Sequence, residues 1–135
     1  MITKKYIDEL TYKIIGCAIE VHKELGPGLL ESIYHKCFLY ELDQKGLKYQ
    51  SELQVPVLYK GPRLHAGLRL DVLVEDLVIV ELKSVQDLHP IFDATLLSYM
   101  RLLQKPKGIL INFNCTNIFK EGQKTMVNEI YALLP

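Results

Sequence analysis

A mixed α/β fold, with a central sheet flanked by helices, is what this 135-residue chain predicts, and three observations carry that expectation. First, the runs Leu68-Arg69-Leu70-Asp71-Val72-Leu73-Val74 and Leu77-Val78-Ile79-Val80-Glu81-Leu82-Lys83 are strand-length and rich in Val, Ile and Leu. Only Glu75-Asp76 separates them, which reads as a hairpin turn. Second, a helical pattern from Ile91 to about Leu103 stands between the second run and another apolar run, Ile109-Leu110-Ile111-Asn112-Phe113. It is long enough for a crossover between parallel neighbours. Third, two helical segments precede all the strands. A hairpin, one crossover and leading helices give a mixed sheet with helices on its faces.

The elements follow in order. Thr3 to Leu25 reads as an amphipathic helix with Ile7, Leu10, Ile14, Ala18, Val21 and Leu25 on one stripe, stopped by Gly26-Pro27-Gly28. A second helix is expected from Leu29 to Lys45, ending at Gly46. Leu47 to Tyr59 alternates loosely as a strand, with Pro56 marking an edge or a bulge. Lys60-Gly61-Pro62-Arg63 turns the chain into the Asp71 strand, and Asp87 to Pro90 opens the third helix. Lys105-Pro106-Lys107-Gly108 breaks that helix before the Ile109 strand. The tail from Thr116 reads either as a small strand at Ile118-Phe119 or as a terminal helix from about Lys124 to Leu133. No repeat or linker interrupts the pattern, so residues 1–135 are expected to form one domain.

Composition excludes several classes. Hydrophobic content of 49% and charged content of 24% suit an ordinary globular protein. No stretch approaches the ~18 apolar residues of a membrane helix. Met1 to Leu10 carries Lys4, Lys5, Asp8 and Glu9 in place of a signal peptide's apolar core, so a cytoplasmic location is expected. Cys17, Cys37 and Cys115 lack metal-ligand spacing and read as reduced, buried thiols. A net charge of +0 argues against a dedicated nucleic-acid binder but not against a nuclease, whose acids cancel its lysines. Arginine is scarce, at Arg63, Arg69 and Arg101 only, which limits bidentate phosphate gripping.

The chemistry concentrates on Asp71, Glu81 and Lys83. Charged side chains inside buried strands are costly unless paired or bound to a cation. Two acids converging on one point make an oxygen-ligand site suited to Mg²⁺, and a lysine beside it can orient an attacking water. Strand alternation puts Arg69, Asp71 and Leu73 on one face and Ile79, Glu81 and Lys83 on one face of the next strand. The acids meet only if Val74 pairs with Val78 across Glu75, Asp76 and Leu77, setting Asp71 opposite Glu81. A two-residue loop would pair Asp71 with Val80 and separate them. An exposed cross-strand charge face is the plainer alternative.

Other candidates have plain readings too. With Gly28 as N-cap, Glu31 becomes the N3 residue of the second helix and caps its backbone. It also shares a helical face with Tyr34, Phe38 and Leu42, from which an acid could reach a metal at the sheet. Tyr34 and Tyr99 read as core aromatics, and His89 as a loop histidine near a helix start. His22, His35 and His65 share no zinc-like spacing.

Leu25-Gly26-Pro27-Gly28-Leu29-Leu30-Glu31-Ser32-Ile33-Tyr34 resembles the signature of the GxxExxY family, with Gly28, Glu31 and Tyr34 at its named positions. The likeness continues through Gln54-Val55-Pro56-Val57, Tyr59-Lys60-Gly61, Arg69-Leu70-Asp71 and Val80-Glu81-Leu82-Lys83. It ends at Leu96-Leu97-Ser98-Tyr99 and Gly108-Ile109-Leu110-Ile111-Asn112-Phe113. That family is placed in the PD-(D/E)XK nuclease superfamily, so the resemblance implies a restriction-endonuclease-like core. It further implies that Asp71 and Glu81 ligate Mg²⁺ or Mn²⁺, with Glu31 and the Leu82 carbonyl completing the site and Lys83 activating water. Arg69, Tyr34, Tyr99 and Thr95 are the accompanying candidate substrate contacts. Thr95 is a departure, because the related RecB-like branch carries a glutamine four residues before the tyrosine.

The expected activity is Mg²⁺-dependent hydrolysis of a DNA or RNA phosphodiester by metal-activated water. Its rivals are a nuclease-fold module that binds nucleic acid or a protein partner without cutting, and a purely structural domain. The small chain offers little surface for gripping a duplex, so a homodimer or a partner protein is also expected.

Overall fold

Thr3 opens the first helix: its side chain accepts a hydrogen bond from the Tyr6 amide at 3.0 Å, satisfying one of the free donors of the first turn. In the computed structural model, which describes residues 1–135, helix α1 runs Lys4–Leu25 and ends at Gly26, whose φ of 66° suits a residue without Cβ. The expected stripe is buried from Ile7 to Val21, whereas Leu25 at the helix end is exposed. Helix α2 (Glu31–Gln44) begins two residues later than expected. Leu30 is its N-cap without a side-chain bond, so Glu31 stands in the first position of the helix and not in the third. Gly28 is outside the cap because its φ of 99° turns the chain before the helix begins.

Five strands make the main sheet in the order β1 (Tyr49–Gln54), β4 (Arg69–Val74), β5 (Val78–Lys83), β6 (Lys107–Asn112) and β7 (Gln123–Val127). Only β5 and β6 run parallel, joined by helix α3 (Pro90–Leu103) as the crossover. The other neighbours are antiparallel. This is the mixed sheet that the order of apolar runs predicts, consistent with a restriction-endonuclease-like fold. The β5 and β6 runs are apolar almost throughout because helices cover both faces. One core holds α1 and α2 residues such as Ile14, Ala18 and Phe38 against Val72, Val80, Leu82 and Ile111. The second packs Leu96, Tyr99 and Met100 of α3 against Leu70, Leu73, Ile79 and Leu110. Gly108 lets α3 approach: a Cβ there would lie 2.7 Å from Met100 Sδ and 2.9 Å from Leu96 Cγ.

Two segments differ from the sequence reading. The expected strand over 47–59 ends at Gln54, and a separate two-stranded arm follows, β2 (Val57–Leu58) against β3 (Arg63–Leu64). Pro56 lies between the two pieces, where its missing N–H breaks the ladder. In the tail, Ile118–Gly122 forms one wide π-type turn, the strand falls at Gln123–Val127, and only a single helical turn, α4 (Glu129–Ala132), follows. The open edge of β6 selects the strand over the helix: pairing with β6 satisfies a row of backbone groups that local periodicity does not register. No helix is long and apolar enough to cross a membrane. Cys17, Cys37 and Cys115 are free thiols, Cys17 buried and the others half-buried.

Candidate active site

Register decides whether the acids meet. Val74 pairs with Val78, Leu73 with Ile79 and Val72 with Val80, so Asp71 comes opposite Glu81. The turn that sets this register uses three residues. Glu75 and Asp76 take positive φ of 52° and 58°, and the Leu77 amide donates to the Val74 carbonyl at 3.0 Å. The odd-length loop is therefore present.

Beyond Val72 the ladder between β4 and β5 gives way to side chains. The Asp71 amide donates to Glu81 Oε2 at 3.0 Å, and the Leu82 amide donates to Asp71 Oδ2 at 2.7 Å. Each carboxylate thus takes the place a backbone carbonyl would hold. Strict alternation also breaks here: Leu70 packs with Leu73 and Ile79, whereas Val72 faces the other core. Alternation no longer assigns Arg69 to Asp71's face. Opposite Asp71 on β1, Glu52 has a φ of 53°, rare for a residue with a side chain, so both strands are distorted at the same level.

Glu81 is 7% exposed. Burial, and then the Asp71 carboxylate beside it, push its carboxyl up to about 9. A dry carboxyl beside another carboxylate resists ionising without a positive partner. The Glu31 carboxyl is raised as well, by burial and then by Asp71, with Lys83 and His35 opposing. Tyr99, 7% exposed, is raised by burial and by Glu81 and Asp71. These charges sense one another across one site. Lys83 is half-buried, with Nζ 4.4 Å from the centre of the Phe92 ring on α3. A cleft of about 510 Å³ opens from Asp71, lined also by Glu31, His35, Ser51 and Glu52.

The sequence candidates separate into three groups. Asp71, Glu81 and Lys83 are brought together, with Glu31 on the cleft wall. As the side chains stand, no three acids or imidazoles converge closely enough to share an ion. Tyr99 donates from its hydroxyl to the Arg69 carbonyl at 3.4 Å, and Thr95, one turn earlier, is half-buried. Leu82 and Tyr34 are fully buried. Tyr34 has no surface to present to a substrate: its hydroxyl donates to the Gly26 carbonyl at 2.5 Å and accepts from the Leu29 amide at 3.1 Å. Its ring stacks on Phe113 at 4.4 Å.

Five participants escaped the sequence reading. Phe92 covers Lys83, and no local pattern points to it. Asn112, beside Lys83 in the parallel register, accepts from the Val85 amide at 3.1 Å and donates to the Val85 carbonyl at 3.0 Å. An amide inside Ile-Leu-Ile-Asn-Phe is a readable signal, since a buried amide requires partners. Ser84 donates to the Leu29 carbonyl at 2.6 Å, tying the lysine strand to the loop before Glu31. His35 and Ser51 bond across the cleft, Nε2 to Oγ at 2.8 Å.

A model of the PD-(D/E)XK nuclease superfamily matches residues 8–126. The chain belongs to that superfamily. No curated protein and no solved structure matches it. The PD-(D/E)XK frame makes the acid pair intelligible. Its donor set is hard oxygen, with Glu81 buried beside the Asp71 carboxylate, which is an environment a hard divalent cation relieves. The donor chemistry of Asp71 and Glu81 suits such an ion.

Proposed function

We propose that this protein is a divalent-cation-dependent nuclease that hydrolyses a DNA or RNA phosphodiester in the cleft beside Asp71. The observation that carries the reading is the interleaved pair Asp71 and Glu81, each held by the other strand's amide, with Lys83 two residues along β5. Asp71, Glu81, Glu31 and the Leu82 carbonyl would hold Mg²⁺ or Mn²⁺, which supplies Lewis-acid polarisation of the phosphate and a more acidic water.

The chain's own groups do the rest. The hydrogen bonds from Leu82 and Asp71 fix the carboxylates before anything binds, so little reorganisation remains for the reaction. The Lys83 ammonium donates a hydrogen bond to the attacking water and holds it in line with the phosphorus. Phe92 confines that ammonium by a cation–π contact, leaving fewer orientations to lose. Asn112 clasps Val85, which keeps the end of β5 from drifting.

Thr95 favours a second reading, a nuclease-fold module that binds without cutting, because it has no amide to position a phosphate. Incubation with single- and double-stranded DNA and RNA, with and without Mg²⁺ or Mn²⁺, separates the two. Metal-dependent cleavage that Lys83→Ala removes supports the nuclease. Metal binding with all substrates left whole supports the module.

A further inference from the structure

The 18 residues from Leu53 to Leu70 contain no acid, yet they carry Lys60, Arg63, Arg69 and His65. Taking those three formal cations from 16 leaves 13 Lys and Arg against 16 Asp and Glu in the rest of the chain. The neutral total therefore conceals a basic arm on an acidic body. The arm is the β2–β3 pair with its flanks, and every residue from Leu58 to Arg69 is exposed. Leu58 and Tyr59 are 55% and 58% exposed, so the arm shows apolar surface beside its cations. Lys60 Nζ lies 5.4 Å from the Tyr59 ring centre, and the Tyr59 amide closes the tip on the Pro62 carbonyl at 3.0 Å.

Its position matters as much as its charge. The arm continues from β1 and β4, the two strands that flank the cleft at Glu52 and Asp71, through a bond from the Val55 amide to the Leu68 carbonyl at 2.8 Å. Arg69 at its root is two residues, ~7 Å, from Asp71. The tip stands at most ~40 Å away along the chain.

We propose that this arm is the docking surface for a single-stranded stretch of nucleic acid leading into the cleft. The proposal rests on the nuclease reading and adds the substrate class to it. Lys60, Arg63 and Arg69 pair with successive phosphates. Tyr59 offers a flat exposed ring to an unstacked base, a face that a duplex keeps covered. A membrane surface would also take cations beside apolar groups, but it would have no path to Asp71.

The test uses the full chain in EDTA, where binding is read without cleavage. Fluorescence anisotropy measures affinity for short labelled single strands of DNA and RNA, a duplex of the same sequence, and vesicles rich in anionic lipid, across a salt series. Single strands are expected to bind best. The slope of log affinity against log salt should fall by about 0.7 for each cation removed in Lys60→Gln and Arg63→Gln. Tyr59→Ala should weaken binding about tenfold, the scale of one lost base–aromatic stack. Lys13→Gln with Lys45→Gln, the same charge loss between α1 and α2, should change neither affinity nor slope. Unaltered binding by the arm variants would overturn the docking surface and leave the nuclease intact. A preference for the duplex or the vesicles, or no binding of single strands by the parent chain, would overturn it as well. Metal-dependent cleavage judges the nuclease reading separately.

Discussion

The backbone amide of Asp71 donates to Glu81 Oε2 at 3.0 Å, so the two acids are joined through backbone as well as through the charge they share. Burial and the Asp71 carboxylate raise the Glu81 carboxyl to about 9, against 4.5 for an ordinary glutamate. Below the ordinary value both folded and unfolded chains hold the proton, and the stability is complete. Above it the unfolded chain releases its proton first, so stability declines as pH rises toward ~9. Glu81→Gln keeps the shape without the charge. It is expected to melt above the parent at pH 8, by at least ~1 kcal/mol in stability, since even a tenfold change in proton affinity is worth ~1.4 kcal/mol. Equal melting temperatures across the pH range would refute this account.

Asp71→Ala removes the acceptor of the Leu82 amide and leaves that buried donor bare, at a cost of ~1–3 kcal/mol. The parent chain should gain about 2.7 kcal/mol from Mn²⁺ at a hundred times its dissociation constant. The variant should gain nothing. Thermal melts with and without Mn²⁺ measure both effects, and an Mn²⁺ response that survives in Asp71→Ala would place the ion elsewhere.

If the protein cuts as proposed, Lys83→Ala should abolish cleavage while Mn²⁺ binding persists, since an ammonium cannot ligate a cation and is assigned there to orient the water. Phe92→Leu removes the ring beneath that ammonium, worth ~0.5–1 kcal/mol, so the single-turnover rate should fall a few-fold. A rate unchanged by Phe92→Leu would show that the ring merely fills space.

Tyr34→Phe keeps the stack on Phe113 and deletes the hydroxyl that pins Gly26 and Leu29. The expected loss is about 1 kcal/mol, with faster hydrogen exchange at the Leu29 amide. Exchange as slow as in the parent would mean that the loop is held by the Ser84 bond alone.

Gly108→Ala sets a methyl 2.7 Å from Met100 Sδ and 2.9 Å from Leu96 Cγ. Overpacking of this kind costs ~1–3 kcal/mol, and denaturant unfolding reads it directly. A neutral result would show that α3 rides freely on β6.

Much was legible in the linear pattern because the forces behind it are local. Hydrophobic period and turn chemistry located α1, α3 and the strands β4, β5 and β6. The spacing between Val74 and Val78 was enough to demand a three-residue loop if Asp71 and Glu81 were to meet, and that loop is present. Other features depend on partners far along the chain. Which face Leu70 takes is decided by the distortion shared with Glu52 on another strand. The strand at Gln123 exists because β6 presents an open edge, and the Tyr34 hydroxyl is occupied because Gly26 and Leu29 fold back over it.

A carboxyl's identity is written in one letter, whereas its proton is set by what surrounds it. From residue order alone came the register the site would require and the candidates Asp71, Glu81 and Lys83. Three-dimensional packing decided that Glu81 is dry and that Phe92 lies over Lys83. Desolvation and charge interactions act through space, between groups that sequence distance does not order.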